Sequence, residues 1–121
     1  MQEPCRLPEA DLHDYRERGI LPWEVIHSFG DAATEDLYHG RASARARRFP
    51  ADIRATAVRK LDMVHAAHAI EDLRTPPGNR LEALRGDLRG CHSIRVNDQW
   101  RIVFRWADGA AHDVRVVDYH G

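Results

Sequence analysis

The chain has 121 residues, enough for one domain around one core. No apolar stretch approaches the ~20 residues that cross a bilayer, and the start lacks a basic run followed by an apolar one, so neither a membrane span nor secretion is expected and a cytoplasmic location fits. Formal net charge is −1, and the two cysteines, Cys5 and Cys91, lie far apart without C-x-x-C spacing, which argues against a disulfide framework or a zinc site.

Residues 1–24 read as an N-terminal extension ahead of a domain over 25–121. They carry Glu3, Glu9, Asp11, Asp14, Glu17 and Glu24 against three arginines, which leaves a mild positive excess in the rest. The stretch L-H-D-Y-R-E-R-G-I-L-P-W allows one or two helical turns before Gly19 and Pro22 stop it. Val25–Phe29 is β-rich and bounded by Gly30, so it predicts a first strand. Asp31 is placed to cap a short helix over Ala32–His39, which Gly40 ends. R-A-S-A-R-A-R-R follows, a positive cluster of Arg41, Arg45, Arg47 and Arg48 suited to approaching a polyanion. Pro50 then opens a longer helix, expected to reach about Ala69, with Ile53, Ala57, Leu61, Val64 and His68 on its buried stripe. Thr75-Pro76-Pro77-Gly78 closes the helical region.

A brief extended segment at Arg80–Leu84 precedes three strands, Cys91–Val96, Gln99–Trp106 and His112–Tyr119. Turns at Asn97-Asp98 and Asp108-Gly109 join them. Alternation in the middle strand puts Trp100, Ile102, Phe104 and Trp106 on the side that packs against the helices. Arg101, Val103 and Arg105 then face solvent or a ligand. His92 shares its parity with Ile94 and Val96 and reads as structural. The order β-α-α-β-β-β predicts an α+β architecture: two helices on one face of a mostly antiparallel sheet of about four strands.

Seventeen of the 18 basic residues are arginine, with Lys60 the exception. A GC-rich genome accounts for most of that preference, but the guanidinium fork also suits phosphate. His65 and His68 stand at i, i+3 without a third ligand, so no metal is expected.

The stretch P-P-G-N-R-L-E-A-L-R-G-D-L-R-G-C-H-S-I-R-V-N-D-Q-W-R-I-V-F-R-W, with the D-Y-H ending, resembles the HigB branch of the RelE/ParE toxin superfamily. The elements that carry the likeness are Leu84, Gly86, Asp87 and Gly90; Ser93 to Asn97; Gln99 to Ile102; and Asp118-Tyr119-His120. The resemblance covers about residues 25–120. It implies a RelE-like fold and the toxin of a type II toxin–antitoxin pair. Such a toxin would enter the ribosomal A site and cut messenger RNA without a cofactor. A HigA-like helix-turn-helix antitoxin would hold it inactive and reach operator DNA. The ParE branch, which acts on DNA gyrase, and a catalytically weak member that mainly binds its antitoxin are the alternatives.

Metal-independent cleavage needs proton carriers and a transition-state clamp. Histidine titrates near neutrality and arginine stays charged. By the family motif His120 carries protons, Tyr119 stacks on a base or donates its hydroxyl, and Asp118 orients His120 or binds an RNA hydroxyl. Arg101 of Q-W-R-I holds the scissile phosphate. Arg85 stands where relatives often have lysine. Glu82 stands where some relatives have histidine, and it would serve as a base only if burial tuned it. Arg89, Arg95, Arg105 and Arg115 are further candidates for the RNA backbone.

Overall fold

The computed structural model describes residues 26–118. Two helices, α1 (Ala32–Tyr38) and α2 (Ala51–Ala66), precede four strands: β1 (Glu82–Ala83), β2 (Cys91–Arg95), β3 (Trp100–Ala107) and β4 (Ala110–Asp118). The strands form one sheet in the order β1-β2-β3-β4, every pair antiparallel. This is the α+β arrangement expected from the sequence, with both helices on one face.

Local chemistry explains most boundaries. The Thr34 backbone N–H donates to Asp31 Oδ1 at 2.8 Å, capping α1. Gly40 follows α1 with φ 73°, a conformation that costs glycine little. Asp108 and Gly109 both have positive φ, as a two-residue hairpin turn between paired Ala107 and Ala110 requires.

Three elements depart from expectation. Val25–Phe29 does not form a strand: Val25 lies outside the described residues, and Ile26 and Phe29 make only isolated parallel bridges to Ala111 and Val114. The cause is a bulge in β4. Val103 pairs with Arg115 but Arg105 pairs with His112, so Asp113 and Val114 together oppose Phe104. Asp113 has φ 57°, and its N–H turns to Ser28 Oγ at 2.8 Å. A regular ladder cannot run past that kink.

The long helix stops at Ala66 rather than Ala69. Asp72 Oδ2 accepts from the N–H groups of His68 (2.8 Å) and Ala69 (3.1 Å), capping a 3₁₀ turn over Ile70–Arg74. These two bonds hold the Asp72 carboxyl below its ordinary range. The side-chain cap outcompetes helix continuation, so His68 leaves the buried stripe and is exposed.

The third departure is the second sheet face. Ile53, Ala57, Leu61 and Val64 of α2 pack on Ile94, Ile102, Phe104, Val114 and Val116, forming the main core. The opposite face is not simply open. Leu84, Cys91 and Val103 are buried there, with Leu88 and Val117 packed against them. The chain's other cysteine, Cys5, lies outside the described residues.

Candidate functional site

The register of the sheet gathers the polar motif residues on the face away from the helices. Glu82 pairs with Ser93, Ser93 with Val103, and Arg95 with Arg101. Arg101 sits at the centre. Its Nε donates to Ser93 Oγ at 2.7 Å, and its Nη2 donates to the Arg80 carbonyl at 2.6 Å and the Ser93 carbonyl at 3.4 Å. Glu82 Oε1 lies 3.9 Å from the same nitrogen.

Arg101 was expected on an open face. It is on that face but buried, with 11% of its side chain exposed, closed in by Ser93, the Arg80 carbonyl and Glu82. Its guanidinium plane is therefore set by the protein rather than by solvent. A fixed guanidinium suits an oxyanion whose geometry changes during reaction.

The neighbours divide. Glu82 is half exposed. It borders an open groove of about 450 Å³ formed by Glu82, Ala83, Leu84 and Arg85. Arg85 is exposed and extended, just before the 3₁₀ turn Gly86–Leu88. Arg89 is exposed after that turn. Gly86 and Gly90 both take positive φ, which is why the L-x-G-D-x-x-G spacing needs glycine at both places.

Arg95 is paired with Asp98, and Arg105 Nε lies 3.4 Å from Asp113 Oδ2. Arg115, a candidate contact for the RNA backbone, is buried. Burial pushes its pKa down, while Asp31 and Asp113 oppose that, and its Nη1 donates to the Asp113 carbonyl at 3.3 Å. It belongs to the framework of the bulge. Asp118 is exposed at the end of β4, accepts from Gln99 Nε2 at 3.0 Å, and pairs with Trp100 next to Arg101. Tyr119 and His120 lie outside the described residues.

The positive cluster between the helices is partly spent internally. Asp36, buried in α1, accepts from Arg41 Nη1 (3.1 Å), Ser43 Oγ (2.7 Å), Arg45 Nε (3.1 Å) and Arg45 Nη2 (2.9 Å). Burial resists its ionisation, but the bonds from Ser43, Arg41 and Arg45 outweigh it and hold the carboxyl below its ordinary value. Arg47 and Arg48 stay exposed. His92 is stacked beside Phe104, and burial lowers its pKa. Among the described residues, no group of three His, Cys, Asp or Glu is placed to hold a metal.

Sequence reasoning missed Ser93 and the Arg80 carbonyl as partners of Arg101. Parity alone put Ser93 on the arginine face; only register shows which guanidinium it meets.

Residues 27–120 match the family model of the HigB-like toxin, described as a RelE-like toxin of the type II toxin–antitoxin system HigB. The chain belongs to this family. A Vibrio cholerae serotype O1 protein named Toxin HigB-1 is 47% identical over 83 residues, covering 69% of this chain and 85% of the relative. An uncharacterised Haemophilus influenzae protein is 36% identical over 67 residues, 55% of this chain and 66% of its own length. A Proteus vulgaris protein named Endoribonuclease HigB is 42% identical over 41 residues, 34% of this chain and 45% of its own length. In this HigB-like chain the matched segment holds Arg101 with its supports and extends into the terminal Asp118-Tyr119-His120. No helix among the described residues is long and apolar enough to cross a membrane.

Proposed function

We propose that this HigB-like toxin is a metal-independent endoribonuclease that cleaves messenger RNA in the ribosomal A site, and that a helix-turn-helix antitoxin holds it inactive. One observation carries the reading. Arg101 is gripped by Ser93 and the Arg80 carbonyl on the sheet face away from the helices, beside the strand that leads into Asp118-Tyr119-His120. The Proteus vulgaris relative, named as an endoribonuclease, supports the reaction class.

In this reading the ribose 2′-oxygen attacks the adjacent phosphorus and the bond to the 5′-oxygen breaks, leaving a 2′,3′-cyclic phosphate and a 5′-hydroxyl. The 2′-proton leaves to a base and the 5′-oxygen gains a proton. His120 carries protons, oriented by Asp118, and Tyr119 stacks on a base. Arg101 stabilises charge on the phosphorane, with Arg85 a second cation at the groove. Glu82, half exposed, contributes less than a histidine there would. Arg47, Arg48 and Arg89 meet the ribosomal polyanion.

Expression without antitoxin, followed by mapping of transcript ends on ribosomes, tests this. New ends within A-site codons are expected, and both His120→Ala and Arg101→Ala should abolish them while the protein stays folded. Slowed growth with intact transcripts and DNA damage signalling would point to a gyrase inhibitor of the ParE kind. Antitoxin binding with normal growth would mark a catalytically weak member.

A further inference from the structure

We infer that Asn79 is a positioning residue for Arg101, coupled to it through the Arg80 carbonyl and anchored by Lys60. This deepens the proposed function and rests on Arg101 binding the scissile phosphate.

The observations form a chain across the domain. Asn79 is fully buried. Its Nδ2 donates to the carbonyls of Leu73 (3.1 Å) and Thr75 (3.4 Å), and its Oδ1 accepts from Lys60 Nζ on α2. The amide thus spends both its donors and its acceptor on holding the 73–79 loop to the helix. Lys60 is itself about nine-tenths buried, an unusual place for the chain's one lysine. A surface lysine would suit most purposes on α2. A buried ammonium whose hydrogen bond is to a neutral amide suggests that the amide's orientation matters.

The next residue shows why. Arg80 has φ 46° and ψ 57°, the left-handed region that non-glycine residues visit rarely. That conformation sends the carbonyl toward the sheet, where it meets Arg101 Nη2 at 2.6 Å. Strained backbone persists when its surroundings enforce it, and here Asn79 and Lys60 enforce it. Ser93 Oγ holds Arg101 at Nε, the Arg80 carbonyl holds it at Nη2, and together they fix the guanidinium plane. Releasing Asn79 leaves Ser93 in place but loosens the Arg80 carbonyl, the shorter of the two hydrogen bonds at Nη2, so the guanidinium pivots about Nε. A phosphate-binding group misplaced by about 1 Å can cost up to ~100-fold in rate.

The test is a double-mutant cycle on ribosome-dependent cleavage. Asn79→Ala is measured in the wild-type and Arg101→Lys backgrounds, with Lys60→Met as a milder parallel that keeps the apolar stem. Asn79→Ala should lower kcat about tenfold in wild type with KM nearly unchanged, and by less than about twofold when Arg101 is already replaced. Equal losses in both backgrounds would overturn the inference, since a merely structural role does not depend on Arg101. So would no loss at all while Arg101→Lys is impaired; that result would leave the proposed function standing. If Arg101→Lys cleaves at the wild-type rate, the phosphate role itself fails. Hydrogen exchange of the Arg101 Nε–H, read by NMR in the full chain, then decides the grip separately. It should speed up several-fold in Asn79→Ala and in Lys60→Met, and unchanged exchange in both overturns the coupling. Should Asn79→Ala fail to fold, Lys60→Met carries both measurements with the same criteria.

Discussion

Two arginine-rich clusters in this protein look alike in sequence and differ in construction. Around Asp36, a buried carboxylate sits at the centre and two guanidinium groups close over it from outside, with 43% and 56% of the Arg41 and Arg45 side chains still exposed. Around Arg101 the guanidinium is central, and a hydroxyl and backbone carbonyls hold it from within the sheet. The first arrangement consumes positive charge to tie the loop after α1 to the helix. The second fixes a positive group in a set orientation on a polar face. An arginine count distinguishes neither; what matters is which partner is buried.

Breaking the second cluster should have the largest effect. Arg101→Ala is expected to reduce cleavage by ~10²–10³, the loss typical of removing one transition-state donor. Far-ultraviolet circular dichroism should stay native, and cleavage within threefold of wild type would erase the distinction between the clusters. Breaking the first should act on stability instead. Asp36→Asn is expected to cost about 1–3 kcal/mol in urea unfolding, since charge-assisted bonds are lost at a buried acceptor while the arginines can still reach water. The folded fraction should cleave normally.

That comparison sharpens in acid. The Asp36 carboxyl is depressed in the folded protein, so its contribution is present above the unfolded carboxylate value of about 3.9 and is lost as pH falls through the lower folded value. Unfolding measured below pH ~4 should be steeper in wild type than in Asp36→Asn. Outside both clusters, Arg47→Ser with Arg48→Ser should weaken association with ribosomes at low salt and reduce the salt slope by at most about 2, leaving stability unchanged.

The smallest effect concerns His112. Burial lowers its pKa, the Ala107 carbonyl partly offsets this, the charges of Arg105 and His27 add to the lowering, and Asp113 opposes it. The unfolded chain therefore takes up the proton first as pH falls below about 6.5, so folding weakens slightly there. His112→Gln should flatten the melting temperature between about pH 7 and pH 5, and an unchanged slope would show that this site does not matter.

What the sequence revealed was local. Asp31, Gly40 and Asp108-Gly109 each encode a cap or turn within a few residues, and apolar spacing marked α2 from Ile53 to Val64 and the three long strands. What stayed hidden was relational. The end of α2 depended on Asp72 reaching back to His68 and Ala69. The bulge at Asp113 breaks alternation in β4, so Ala111 and Val114 both pair toward the core although their spacing denies it. Arg101 was visible as a motif residue, but its burial depends on the Glu82–Ser93 pairing and on the backbone of Arg80, which no motif spells out. The family likeness named Arg101; it did not show how its side chain is held.

The supports of Arg101 have one more property. A serine hydroxyl and peptide carbonyls neither gain nor lose a proton anywhere near neutrality. These direct hydrogen bonds to Arg101 are thus indifferent to acidity near neutrality. Any bell or shoulder in the rate of strand scission across that range would be inherited from the groups that ferry protons, and the guanidinium would stand as a constant behind it.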